Sequence, residues 1–271
     1  MKKAVQFRIV CSGMVLACTT LASHADDPLS LNTSSGYEVG AQISRYLYEE
    51  EKDGHFFMHT KGNRFGLTGA ATWAFSNDWY VGGDIRYSYS EVNYKGTGTH
   101  GGIPDKLWEV RATGGKDFSM NGYLLSPYIG IGYRNLVNEL SETGPKGYRR
   151  ESEYWYLPVG LTHRFQFDSE SRISTSIEYD YFLRGQQQSD MSDIDRFPGF
   201  NNAKNDQNHG YGLRTTVAYE RKDWSVGLFY DYWKIADSES TSLTNYGAPF
   251  GQLMEPKNTT DEYGVQVKYR F

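Results

Sequence analysis

The feature that most constrains this chain is the strict two-residue alternation of its last ten residues. Tyr263, Val265, Val267, Tyr269 and Phe271 alternate with Gly264, Gln266, Lys268 and Arg270. Successive side chains of a β-strand point to opposite faces, so this period gives one apolar and one polar face. The same period recurs upstream. The cleanest internal case sets Ile173, Thr175, Ile177, Tyr179, Tyr181 and Leu183 against Ser174, Ser176, Glu178, Asp180 and Arg184. An all-β chain of many such strands must bury or solvate each face consistently.

Ten segments of this kind can be marked, with tight turns at Ser76 to Asp78, Ser119 to Gly122, Asp168 to Ser171 and Arg221 to Asp223. Longer connections are expected at Glu49 to Gly54, Gly96 to Asp105, Ser141 to Arg150, Met191 to Asp206 and Thr241 to Lys257. Long and tight connections therefore alternate, as in an up-and-down antiparallel barrel with short turns at one rim and longer loops at the other. Both chain ends fall at the rim of the tight turns.

The apolar face carries aromatics near both strand ends. Trp73, Phe75, Trp79, Phe118, Tyr123, Tyr219 and Trp224 lie toward the tight turns. Tyr87, Tyr89, Tyr133, Tyr179, Tyr181, Tyr230 and Tyr232 lie toward the loops. Two aromatic belts around an aliphatic band match the two interfaces of a bilayer. The low mean hydropathy of −0.64 does not oppose this, because a barrel strand shows only alternate residues to lipid. After the first 25 residues no run approaches the ~18 apolar residues of a membrane helix.

The start of the chain, with Lys2, Lys3 and Arg8, an apolar run from Ile9 to Ala22 and then Ser23-His24-Ala25, reads as a secretory signal peptide with cleavage after Ala25. Val15-Leu16-Ala17-Cys18 is a partial lipoprotein signal and the alternative for this segment. The expected organisation is residues 1–25 signal peptide, 26–35 a short periplasmic lead-in and 36–271 the barrel. Cleavage takes Cys11 and Cys18 with it, leaving no thiol for a disulfide or a metal. It also removes three cations and no acid, so the net charge moves from −5 to −8. No basic excess suits nucleic acid.

The closing strand, ending on Phe271, resembles the C-terminal strand of bacterial outer-membrane β-barrels. That resemblance implies a transmembrane antiparallel barrel in the outer membrane, of Gram-negative porin-like or small-barrel type. It also implies that outer-membrane lipid and the barrel assembly machinery are partners, the latter reading Tyr263, Val265, Val267, Tyr269 and Phe271. No cofactor and no metal are expected.

On this parity the inward set is mixed in sign: Asp84, Glu109, Glu178, Asp180, Glu220 and Asp231 with Arg64, Arg86, Arg111, Arg134, Arg164, Arg214, Lys268 and Arg270. Barrels of about eight strands are filled by side chains, whereas those of about sixteen leave a channel. Two interiors are consistent with ten strands. One is a lumen plugged by ion pairs. The other is a narrow polar pore for small solutes, with Gly130, Gly132, Gly160 and Gly212 supplying room. Adhesion through the long loops, with Phe197, Pro198, Phe200, Tyr246, Pro249 and Phe250, is the alternative function.

An enzyme is not expected. The omptin proteases, also ten-stranded barrels, place an Asp pair and an Asp–His pair at the mouth. Here Asp206 and His209 lie near that position, and Asp105 has only Asp84 and Glu91 nearby in the chain, so the spacing departs from that pattern. His163 is expected at the lipid interface. Asp190, Asp193 and Asp195 are a loose acidic cluster of the kind hard cations take, more simply read as a solvated loop.

Overall fold

In the computed structural model, residues 29–144, 146–195 and 198–271 are described. The expected signal peptide, both cysteines and Phe197 lie outside them. Among the described residues fourteen strands form: β1 Gly36–Lys52, β2 His55–Ala74, β3 Trp79–Lys95, β4 Thr99–Lys116, β5 Phe118–Met120, β6 Tyr123–Asn138, β7 Arg150–Gln166, β8 Ser171–Ser189, β9 Ala203–Gln207, β10 Gly210–Arg221, β11 Trp224–Ile235, β12 Thr241–Asn245, β13 Ala248–Leu253 and β14 Lys257–Arg270. Ten of them close on themselves, each antiparallel to its neighbours: β1 through β4, then β6, β7, β8, β10, β11 and β14. The first and last strands form the seam, running from Glu38 opposite Arg270 to Glu51 opposite Lys257. Every backbone edge of the wall is thus paired, which hydrocarbon demands.

Side-chain exposure follows the alternation. Leu67 is 66% exposed, and Val39, Phe65, Ile85, Ile129, Ile177, Leu228 and Val265 are likewise on the outer surface. Their strand neighbours Arg64, Arg86, Glu178 and Glu262 are buried inside. An apolar exterior around a polar interior is the inverse of a soluble barrel, and it fits lipid.

Three sequence expectations need correction. The connections expected at Glu49 to Gly54 and Gly96 to Asp105 are mostly strand. β1 and β2 meet through Asp53 and Gly54 alone, both at positive φ (52° and 77°), the backbone of a type I′ hairpin. β3 and β4 are joined by Gly96–Gly98. The wall therefore continues past the aromatic belt as a paired palisade, because Tyr46, Tyr48, Met58, Val92 and Ile103 turn inward there and find each other.

The two longest connections also contain strand. β9 pairs with the end of β8, and β12 pairs with β13 around Tyr246 and Gly247, again at positive φ (49° and 81°).

Arg184 faces outward, not inward. In β8 the register skips Leu183, setting Phe182 against Tyr156 and Arg184 against Trp155. This β-bulge inverts the parity of every residue beyond it. It also turns Gln187 and Ser189 inward, where both are buried.

Candidate functional site

The lumen is the place where chemistry-bearing side chains converge, and it is layered. The widest layer is ionic. Arg64, 0% exposed, lies between Asp105 and Glu262, at 3.1 Å from the latter. Its guanidinium also stacks 3.6 Å from the centroid of Tyr46.

Arg86 bridges Asp231 (2.7 Å) and Glu109 (3.5 Å). Arg214 sits at the centre, reaching Glu109 (2.5 Å), Asp180 (2.6 Å) and Glu178 (3.2 Å). Arg111 links Glu178 (2.8 Å) to Asp84 (2.9 Å). Arg134, fully buried, lies over the Trp233 ring. Tyr156 donates to Glu109 at 2.6 Å and Tyr128 donates to Glu178 at 2.8 Å. Charges taken from water are tolerated best when paired and hydrogen-bonded, and here arginines of β2, β3, β4 and β10 hold carboxylates of β3, β4, β8, β11 and β14.

Toward the extracellular rim the ionic layer is capped by apolar and aromatic side chains. Tyr154, Tyr156, Phe182, Trp233 and Ile235 form one cluster. Tyr46, Tyr48, Met58, Val92, Ile103 and Leu140 form a second. The space left between Tyr46, Met58, Leu136 and Arg150 is about 20 Å³, room for a single water.

Above it lies another buried ion cluster. Arg150 contacts both Glu255 and Glu50, the latter at 2.5 Å. Tyr48 donates to Glu50 at 2.9 Å. Glu255 stands on the segment between β13 and β14. Burial, with the neighbouring Glu50 adding to it against the pull of Arg150, pushes its carboxyl up to about 8.

Toward the periplasmic rim the lumen opens into a polar chamber of about 330 Å³. Thr68, Thr162, Ser174, Ser176, Thr216 and Gln266 line it beneath the ceiling of Arg86, Arg111 and Arg214.

At the periplasmic end the inward-phased charges find partners. Glu220 pairs with Arg172 at 2.5 Å, Lys268 with Glu38 at 2.8 Å, and Arg270 with the Ser34 carbonyl. Sequence reasoning missed Asp105, Glu262 and the Arg150 cluster. Asp105 closes the Gly-rich connection expected from Gly96, yet Ile103, Asp105, Leu107 and Glu109 continue one period-two series. Glu262 opens the closing stretch in phase with Gly264 and Gln266, and that phase marks it as inward.

The interior glycines do not widen a pore. A Cβ at Gly132 would meet the Tyr156 ring at 2.2 Å, and one at Gly160 would meet Tyr128 at 2.3 Å. The room they free is occupied by those rings.

Residues 24–231, three quarters of the chain, match the model of the autotransporter beta-domain family. The chain belongs to the autotransporter beta-domain family. It is an outer-membrane β-barrel protein of Gram-negative type.

The barrel of this family member is similar to that of the outer membrane protease OmpT from Escherichia coli. Identity is 12%, the TM-score is 0.55, and 89% of this chain and 100% of that one are covered. At that identity the likeness shows the fold. The outer membrane protein OprG from Pseudomonas aeruginosa aligns at 10% identity and a TM-score of 0.39, over 89% of this chain and 97% of that one. No curated protein matches the sequence.

The acidic positions weighed for proteolysis have partners of their own. Asp105 is tied to Arg64, Asp84 to Arg111, and Asp206 accepts from the Gln186 amide at 3.1 Å. His163 lies on the outer surface beside Tyr123, ring centroids 5.6 Å apart. The Asp190, Asp193 and Asp195 loop is engaged by Arg149, which donates to Asp193 through its backbone N–H (3.0 Å) and to Asp190 through its side chain (3.2 Å).

Proposed function

We propose that this protein is a closed, non-catalytic barrel that anchors an extracellular palisade, and that solutes do not pass through it. The observation that carries this reading is the occluded outer half of the lumen. Two apolar and aromatic clusters fill it, and the space among Tyr46, Met58, Leu136 and Arg150 is about 20 Å³, on the scale of a single water. Moving an ion through that layer strips its hydration without offering paired charge in return.

The test is planar-bilayer conductance of protein shown to be folded by its heat-modifiable mobility. The expected trace is silent. Steady openings would overturn the closed reading and support a narrow solute channel past Arg86 and Arg214.

A second reading is favoured by the distal hairpin. Tyr246 is 75% exposed and Phe250 is also exposed at its tip, with Phe250 braced edge-on by Phe200 at 4.9 Å. Rigid aromatics held away from the membrane suit binding of another surface. This reading makes the hairpin the binding element of a surface protein. Replacing residues 246–250 with Gly and Ser is expected to leave folding intact and abolish binding to host cells or matrix. Retained binding would sink it.

A further inference from the structure

The lead-in between residue 29 and the first strand is not a free tail. It is fastened at successive points of the periplasmic rim. At one end the Leu29 N–H donates to the Ser169 carbonyl at 2.7 Å, in the turn between β7 and β8. Gln166 donates to the Leu29 carbonyl at 2.9 Å, and Arg172 donates to that of Ser30.

In the middle, Thr33 is gripped by Asp117, through the backbone N–H at 2.5 Å and the hydroxyl at 3.1 Å. Arg164 donates to the same hydroxyl oxygen at 3.0 Å. Asn32 reaches Asp78 at 3.3 Å and accepts from Ser119 at 2.9 Å. At the far end Arg270 donates to the Ser34 carbonyl, and Ser35 accepts from the Ala74 N–H at 2.9 Å.

The anchors thus come from β7 and β8, then the turns after β4 and β2, then β14. In the ring order of the strands β8 and β14 are separated by β10 and β11. Seven extended residues reach on the order of 20 Å, enough to span the mouth.

Two details argue for a fastening with a purpose. Asp117 is buried at the rim and is held for this contact by Ser126 at 2.5 Å. A buried carboxylate that gives both oxygens to a passing segment is a costly arrangement to keep for an idle tail. Arg164 contributes to the strap and to the wall of the 330 Å³ chamber alike, so the strap is anchored at the rim of that chamber.

We propose that residues 29–35 are a latched strap that shuts the chamber from the periplasm, with Thr33 and Asp117 as the latch. The barrel is then closed twice, by the aromatic layer outside and by a releasable segment inside. Release of Thr33 from Asp117 opens the chamber to polar solutes small enough for its volume, without disturbing the wall.

The experiment uses the full chain with Cys11 and Cys18 changed to Ser and a reporter, Ser176→Cys, in the chamber wall. A charged, water-soluble thiol reagent is added to folded protein. With the strap intact, labelling is expected at least tenfold slower than at a cysteine placed at exposed Asn77. Thr33→Ala with Asp117→Ala is expected to bring the two rates together.

Should the Asp117 variant fold poorly, replacing residues 29–34 with a Gly-Ser stretch of equal length gives the same readout with Asp117 in place. Equal rates with the strap intact, or a folded strap variant as slow as the parent, would each overturn the proposal. Conductance reports on the outer layer and labelling on the strap, so failure of one reading is visible apart from failure of the other.

Discussion

Arg64→Met is the perturbation that separates a dry plug from a wet pore. The parent guanidinium is fully buried, paired with Asp105 and Glu262, and stacked on Tyr46. If the layer excludes water, removing the cation strands two buried carboxylates. Breaking a buried pair in this way costs about 3–5 kcal/mol. If water reached the site, the pair would behave like a surface one, worth about 0–1 kcal/mol.

The assay is urea unfolding in lipid vesicles, followed by Trp fluorescence and by heat-modifiable mobility. Arg64→Met is expected to lose about 3–5 kcal/mol. The triple variant Arg64→Met/Asp105→Asn/Glu262→Gln carries no stranded charge, and replacing a buried ion cluster with neutral groups is often close to neutral. It is expected to regain most of the loss. A single variant within about 1 kcal/mol of the parent, or a triple no better than the single, would refute a water-excluding ion layer.

Further expectations follow from other parts of the wall. Ile177→Arg places a cation on the lipid face and should cost about 2–4 kcal/mol if that residue is near the bilayer midplane. Spin labels at Ile177 and Tyr179 should be quenched by a lipid-soluble agent and those at Ser176 and Glu178 spared; equal quenching would dismantle the assignment of faces.

Glu255, held at about 8, is protonated in the folded rim well above the usual carboxylate range, so it binds more protons folded than unfolded. Its favourable contribution is present below the ordinary carboxylate pKa and is lost as pH rises through about 8. Protection from hydrogen exchange in residues 236–239 and 254–257, measured relative to the intrinsic exchange rate at each pH, should therefore fall between pH 4.5 and about 8, and Glu255→Gln should flatten that dependence; an unchanged profile in the variant would exclude Glu255 as its source. Gly132→Ala drives a methyl into Tyr156, and overpacking of this sort costs about 1–3 kcal/mol; a neutral result in the unfolding assay would mean the ring is free to move.

Much of the architecture was legible because the bilayer is a uniform constraint. Every outward position from Val39 to Phe271 meets the same solvent, so one period-two rule assigned both faces of ten strands. Legibility ended where the bilayer does. Above the aromatic belt the outer face is wet, and residues such as Glu49, Glu51 and Lys61 no longer mark it as apolar. The palisade formed by the ends of β1 to β4 therefore looked like loop.

Arg184 shows a second limit. A bulge of one residue changes no composition, only phase, and it is dictated by the packing of Phe182 under Tyr154 and Tyr156. The lumen was legible as a set of residues but not as a set of pairs. Arg86 and Arg214 each face several carboxylates at comparable depth, and which of them meet depends on register around the ring. The strap was least visible. Leu29 to Ser35 has no period at all, and its meaning lies wholly in the rim groups it touches.

The seam has a temporal consequence. Residues Gly36–Lys52 pair on one side with a neighbour made moments later and on the other with Lys257–Arg270, made after every other stave of the wall. Until those residues arrive the cylinder is an open curl with two unsatisfied borders. A nascent copy lacking Lys257–Arg270 can rest in no bilayer, and only that segment supplies the stave that lets the cask hold.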